Sequence, residues 1–319
     1  MFKYIQKLPI ALLFLLFAAN TSANADIKVV TSIKPIHSLA SYLMDGVGKP
    51  DLIVDGYNYP HAFAMKPSHA KMLQNADLIF WVGEDMESFL EKPLNSIAKK
   101  AEKIELMEIK GLNKLEFRER NIFEEHEDHG HDEHKEHGHK EDKHDDHQGH
   151  AHGEHDPHIW LDPMNAKVIL SEMAEHLIEN DQKNEAKYKE NLKKAHKDLD
   201  KLIKKVKSEL NKNFKSIVFH DAYQYFEKRF DINILGAFTV NPDVMPGAEQ
   251  LAEIREVIEH DKVSCIFSEP QFNPDIIKAV AKDTNVATGV IDPLGATLDP
   301  GKDLYFDLIG NMSKSFKGC

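Results

Sequence analysis

Residues 77–98 read DLIFWVGEDMESFLEKPLNSIA. The run Leu78-Ile79-Phe80-Trp81-Val82-Gly83 is short, continuously apolar and closed by a glycine, which is the pattern of a strand buried on both faces. A helical pattern over Glu87 to Ala98 follows directly. Working outward, the same alternation recurs. Upstream, Ile27 to Ser32 predicts a strand, Ile36 to Met44 a helix, Asp51 to Asp55 a strand and Pro67 to Asn75 a helix. Downstream, Ile104 to Met107 predicts another strand. Strands alternating with helices build a parallel sheet covered on both faces. The second half repeats the scheme, with strands at Ser216 to His220, Ile232 to Phe238, Cys265 to Ser268 and Val286 to Ile291. The chain is therefore expected to be α/β, with two lobes.

Between the lobes the sequence from Pro163 to about Asn213 is rich in Lys, Glu, Leu and Ala and has no Gly or Pro after Pro163. Apolar residues fall at helical spacing: Leu192, Leu199, Leu202, Ile203, Val206 and Leu210. Two successive helices fit, broken near Asn180 to Asn184, and a rigid connection of this kind restricts hinge opening. At the other end, Lys3 and Lys7 precede an apolar stretch from Pro9 to Ala19 and then Ala23-Asn24-Ala25, the layout of a signal peptide cleaved after Ala25. The expected division is a signal peptide over 1–25, an N-terminal lobe over 26–178, a long connecting helix over 179–213 and a C-terminal lobe over 214–319.

Between His126 and His155 lie eleven histidines mixed with Asp, Glu, Lys and Gly. Imidazoles at this density bind divalent metals. With almost no apolar residue to offset the entropy of ordering, residues 124–156 are expected to be disordered without metal. The formal charge of −13 comes partly from this run and argues against nucleic acid as a partner. Two cysteines are present, Cys265 and Cys319, and in an exported chain such a pair is expected to be a disulfide.

Outside the run, three histidines have contexts that suggest a metal site. His61 follows the strand at Asp51 to Asp55, His220 ends the strand Ser216 to His220, and His158 lies between the His run and the first connecting helix. In parallel α/β sheets ligands gather beyond the carboxyl ends of the strands, and Asp292 meets the same criterion after Ile291. Three neutral imidazoles and one oxygen suit Zn²⁺. His37, His69, His176, His196 and His260 fall in helical patterns and are expected to be solvated or locally capped. Trp81 and Trp160 read as packing aromatics. Glu269 can either ligate metal or orient a histidine.

Several segments together resemble one family. Pro60-His61, Asn75-Ala76-Asp77-Leu78, Trp81 to Glu87, His158-Ile159-Trp160-Leu161, Val218 to Tyr223, Pro246-Gly247-Ala248, Ser268 to Phe272 and Asp292-Pro293-Leu294-Gly295 are similar to the cluster A-I metal-binding proteins of ABC importers, in particular the zinc-binding members. The resemblance spans nearly the whole mature chain, the His-rich run and the late cysteines included. It implies two (β/α)4 lobes with parallel sheets joined by a long helix, a zinc ion in the interlobe cleft and delivery to a membrane ABC permease. Carried over by position, the ligands are His61, His158 and His220, with Asp292 at the place of the family's aspartate. In manganese members the third of these positions is a carboxylate, so His220 favours zinc. The expected product is a periplasmic, monomeric zinc-capture protein that is not an enzyme. Two other classes compete with this reading: a zinc hydrolase built on the same ligands, for which no His-Glu-x-x-His helix is present, and a periplasmic metal buffer working through the His run alone.

Overall fold

The computed structural model describes residues 26–118, 120–123, 154–242 and 244–319. The expected signal peptide and most of the His-rich run lie outside these residues. β1 (Val29–Ile33), β2 (Asp51–Val54), β3 (Leu78–Trp81) and β4 (Glu102–Glu105) form one parallel sheet in the order β2-β1-β3-β4. β5 (Lys215–His220), β6 (Asn233–Thr239), β7 (Cys265–Ser268) and β8 (Ala287–Val290) form a second parallel sheet in the order β6-β5-β7-β8. The two sheets share one strand order, so each lobe repeats the same winding. The central strands β1 and β3 are buried at every residue, which is why they read as continuous apolar runs.

In the first lobe the helices are α1 (Lys34–Leu43), α2 (Pro67–Asn75) and α3 (Glu84–Ser96). α3 begins three residues earlier than its pattern suggests, with a break at Glu87 (φ −124°, ψ 57°), so the regular part is the stretch legible in the sequence. α4 (Pro163–Asn180) and α5 (Glu185–Glu209) are the two connecting helices. Asp162 caps α4 by accepting from Met164 N at 2.8 Å, with Pro163 in the first turn. The 25 residues of α5 span about 37 Å. Its buried stripe is Tyr188, Asn191, Ala195, Leu199, Leu202 and Val206; Leu192, Ile203 and Leu210 flank it, partly buried. The second lobe adds α6 (Gln224–Phe230), α7 (Ala248–His260), α8 (Asp275–Thr284) and α9 (Leu304–Gly318).

The larger hydrophobic core runs without interruption from the first sheet through α1, α4, α5 and α9 to Phe226 and Phe230 of α6 and Val218 of β5. A smaller core fills the other side of the second sheet. The Cys265–Cys319 disulfide ties the end of α9 to β7. The described residues on either side of the His-rich run dock on the second lobe. Asn121 O accepts from Ala237 N, and Phe123 N donates to Leu235 O, both at 2.8 Å, so 121–123 lie antiparallel along the edge strand β6. A Cβ at Gly236 would stand 2.5 Å from Asn121 O, so only glycine allows this approach.

Candidate metal centre

Every candidate ligand sits just beyond a strand's carboxyl end or beside one. After β2 the chain turns through Gly56 (φ +68°) into a short 3-10 turn over Pro60–Ala62, which presents His61. His220 is the last residue of β5, and Glu269 follows β7. His158 opens the 3-10 turn Ile159–Leu161 that leads into α4. These residues, with Tyr59, Pro60, Met86, Trp160, Pro293 and Leu294, line one small chamber between the lobes. Its free volume is about 10 Å³, far below the roughly 300–1,000 Å³ of pockets for organic ligands. An ion fits that scale.

The structure brings His61, His158 and His220 together. Ring centroids lie 5.8 Å apart for His61 and His158 and 5.4 Å apart for His158 and His220. His158 is 6 % and His220 3 % exposed. Each has its Nδ1 taken by a carboxylate: His158 Nδ1 lies 2.7 Å from Asp156 Oδ1, and His220 Nδ1 lies 2.6 Å from Glu269 Oε1. A carboxylate on Nδ1 fixes the ring's orientation and leaves Nε2 with its lone pair, the arrangement that metal-binding histidines use. His220 Nε2 is buried without a hydrogen-bond partner. A buried acceptor left unpaired is costly, and a cation relieves that cost. Burial, then the neighbouring His220, holds the His158 imidazole well below the usual histidine range, so it is neutral and able to ligate.

Aromatic rings close the chamber. Trp160 is fully buried, packs 5.3 Å from the His158 ring and donates from Nε1 to Pro293 O at 2.9 Å. Tyr59 lies 5.0 Å from His61, 6.1 Å from His220 and 4.9 Å from Phe272, so one ring of the first lobe touches the second. Behind the histidines stands Arg118, whose guanidinium pairs with Asp221 at 3.2 Å and with Glu227 and lies 4.0 Å over the Phe123 ring. Burial pushes both Asp156 and Asp221 up to about 7, and Arg118 opposes this in each.

Asp292 is placed differently from expectation. Its Oδ1 accepts from Gly295 N at 3.0 Å and from Leu294 N and Gln271 Nε2 at 3.1 Å, and it is not among the chamber's lining residues. Main-chain donors of the turn that follows β8 claim the carboxylate. Glu269, 3 % exposed, does line the chamber, and its Oε2 is buried without a hydrogen-bond partner. His37 also departs from expectation: it is 8 % exposed, its Nε2 is 3.2 Å from Pro50 O, and burial lowers its pKa. His69 is capped locally, its Nδ1 accepting from Lys66 N at 3.1 Å. Asp156 counted in the sequence only as one more acid of the His-rich run. The spacing Asp156-Pro157-His158 was its signal, because a carboxylate two residues before a histidine can reach that ring.

Another group of metal-type side chains, with ligating atoms within 4.8 Å of one another, lies at the surface: Glu102, His176 and Glu179. Glu179 is 61 % exposed, and Asn180 Nδ2 donates to Glu102 at 2.7 Å. The cluster's carboxylates are open to solvent, where acidic groups commonly gather without an ion.

The family model for ZnuA, the periplasmic component A of a zinc-uptake complex, matches residues 29–319. The high-affinity zinc uptake system protein ZnuA of Brucella abortus (strain 2308) is 45 % identical over 315 residues, covering 95 % of this chain and 94 % of that one. The protein of the same name from Yersinia pestis is 36 % identical over 308 residues, with 95 % and 94 % covered. A crystal structure of ZnuA shares the fold at a TM-score of 0.72 and 20 % identity, covering 92 % of this chain and all of that one. The chain belongs to the ZnuA family, the periplasmic A components of zinc-uptake complexes.

Proposed function

We propose that this protein captures Zn²⁺ in the periplasm and hands it to the ABC permease of an importer, acting as a monomeric binding protein and not as an enzyme. Zinc is its cargo. His61, His158 and His220 supply three imidazole nitrogens, a set that favours zinc over harder cations. The observation that carries the reading is the pair of buried histidines whose Nδ1 atoms are held by Asp156 and Glu269, with His220 Nε2 buried and unpaired. A fourth contact comes from a carboxylate or from water. Asp292 is the residue at the family's position, whereas Glu269 lines the chamber and has a buried oxygen without a hydrogen-bond partner. The relatives named above are zinc uptake proteins, which supports zinc as the cargo here. The signal-peptide pattern ending at Ala25 supports export.

Zinc loading should raise the melting temperature by mass action, with about 2.7 kcal/mol of stabilisation when free zinc is a hundred times the dissociation constant. In His220→Ala and in His61→Ala that shift is expected to disappear, since each removes one of three nitrogens. A full zinc-dependent shift in His220→Ala would place the tight site elsewhere.

A further inference from the structure

Lys34 has no part in the set of metal-binding groups, yet it is only 4 % exposed. It opens α1 at the carboxyl end of β1, in the first lobe. Its ammonium reaches the loop after β8 in the second lobe and donates to the carbonyls of Leu298 at 2.8 Å, Ala296 at 3.0 Å and Gly295 at 3.2 Å. On the other side Asp55 Oδ1 stands 3.4 Å away. Three N–H donors thus meet three carbonyls, and one carboxylate, itself 60 % exposed, balances the charge.

Carbonyls satisfy the hydrogens of a buried ammonium but bring no counter-charge, so this burial is unfavourable compared with an apolar side chain of the same length. What the charge contributes is position. Asp55 begins the segment that turns at Gly56 and leads to His61. The carbonyl loop continues from Pro293 and Leu294, which wall the chamber, and Pro293 O holds Trp160 beside His158. One ammonium therefore grips the loop that presents His61 and the loop that forms the opposite wall.

We propose that Lys34 is a positioning residue for zinc capture: bridging the lobe boundary, it fixes the gap between His61 and the second lobe and thereby governs how fast the ion leaves. The inference rests on the chamber being the zinc site. Lys34→Met keeps side-chain length and removes the charge, while Asp55→Asn removes only the exposed counter-charge. Each mature protein is loaded with zinc and mixed with excess chelator to obtain the dissociation rate. The visible spectrum of the Co²⁺-loaded form reports ligand geometry, and the melting temperature of the metal-free form reports folding. Zinc is expected to leave Lys34→Met faster by roughly 10- to 100-fold, the range for groups that support metal ligands, with an altered cobalt spectrum. Asp55→Asn should move in the same direction by less. A folded Lys34→Met with the unmutated dissociation rate and cobalt spectrum overturns the proposal. Should Lys34→Met fail to fold, an unchanged rate in Asp55→Asn overturns it. His220→Ala, measured alongside, separates the two readings: unchanged zinc binding there would sink the chamber assignment itself, whereas zinc loss there with an unaltered Lys34→Met would sink only the role of Lys34.

Discussion

At the scale of single residues, the chamber separates groups that touch an ion from groups that aim them. Glu269 holds His220 Nδ1 with one oxygen and has the other buried without a hydrogen-bond partner, while Asp292 Oδ1 accepts from Leu294 N and Gly295 N in the turn after β8. Glu269→Gln is accordingly expected to weaken zinc more than Asp292→Asn, whose loss should stay near the 10- to 100-fold of an outer group. Competition against a strong chelator orders the two, and the reverse order would make Asp292 the direct ligand. Glu87, next to Met86 of the chamber wall, offers a test of burial. It is fully buried, its Oε2 accepts from Val82 N and Gly83 N at 3.1 Å, and burial pushes its carboxyl from the ordinary 4.5 up to about 8. Between those values the folded state keeps a proton that the unfolded state releases, so the metal-free protein loses stability as pH rises through that window. The slope is up to about 1.4 kcal/mol per pH unit. Glu87→Gln removes this contribution, and its melting temperature should fall less than that of the unmutated protein between about pH 5 and pH 8. Parallel curves would mean that Glu87 is ionised in the fold.

At the scale of elements, the second lobe depends on two attachments. The disulfide between Cys265 and Cys319 encloses 54 residues of separation, and chain-entropy reasoning assigns such a closure about 4 kcal/mol. Cys319→Ser should lower the melting temperature by several degrees while leaving zinc affinity intact, because α9 carries no chamber residue. A loss of affinity equal to the loss of stability would show that α9 positions the site. The other attachment is the pairing of 121–123 with β6. Gly236→Ala sets a Cβ against Asn121 O and should destabilise by about 1–3 kcal/mol, detectable by urea denaturation. No change in midpoint would show that this edge pairing is unimportant to the folded state.

At the scale of the molecule, one core joins both lobes through α1, α4, α5 and α9. Movement by wide hinge opening would break it, so capture and release are expected to involve the chamber's loops more than the lobes. The His-rich run lies largely outside the described residues, but its borders are informative: Asp156, at its end, holds His158. A deletion meant to test the run must therefore spare 154–156. Removing 124–153 should lower zinc stoichiometry and leave one tight equivalent of unchanged affinity, as read by titration with mass-resolved stoichiometry. Loss of the tight equivalent would assign capture to the run.

The sequence alone determined the two parallel sheets, because buried strands leave continuous apolar runs such as Leu78 to Val82 and connecting helices leave a 3.6-residue period over residues 163–209. It also singled out His61, His158 and His220, since strand ends and a shared family pattern are properties of the chain in order. Partnership across the lobes was decided only in three dimensions. Asp292 and Glu269 each follow a strand of the same sheet, and nothing in their local sequence says which carboxylate the turn's N–H groups will claim and which will line the chamber. Lys34 and the carbonyl of Leu298 are 264 residues apart in sequence, and a carbonyl acceptor has no side-chain identity to recognise. Contacts of that kind depend on where the backbone returns, which packing fixes and residue type does not.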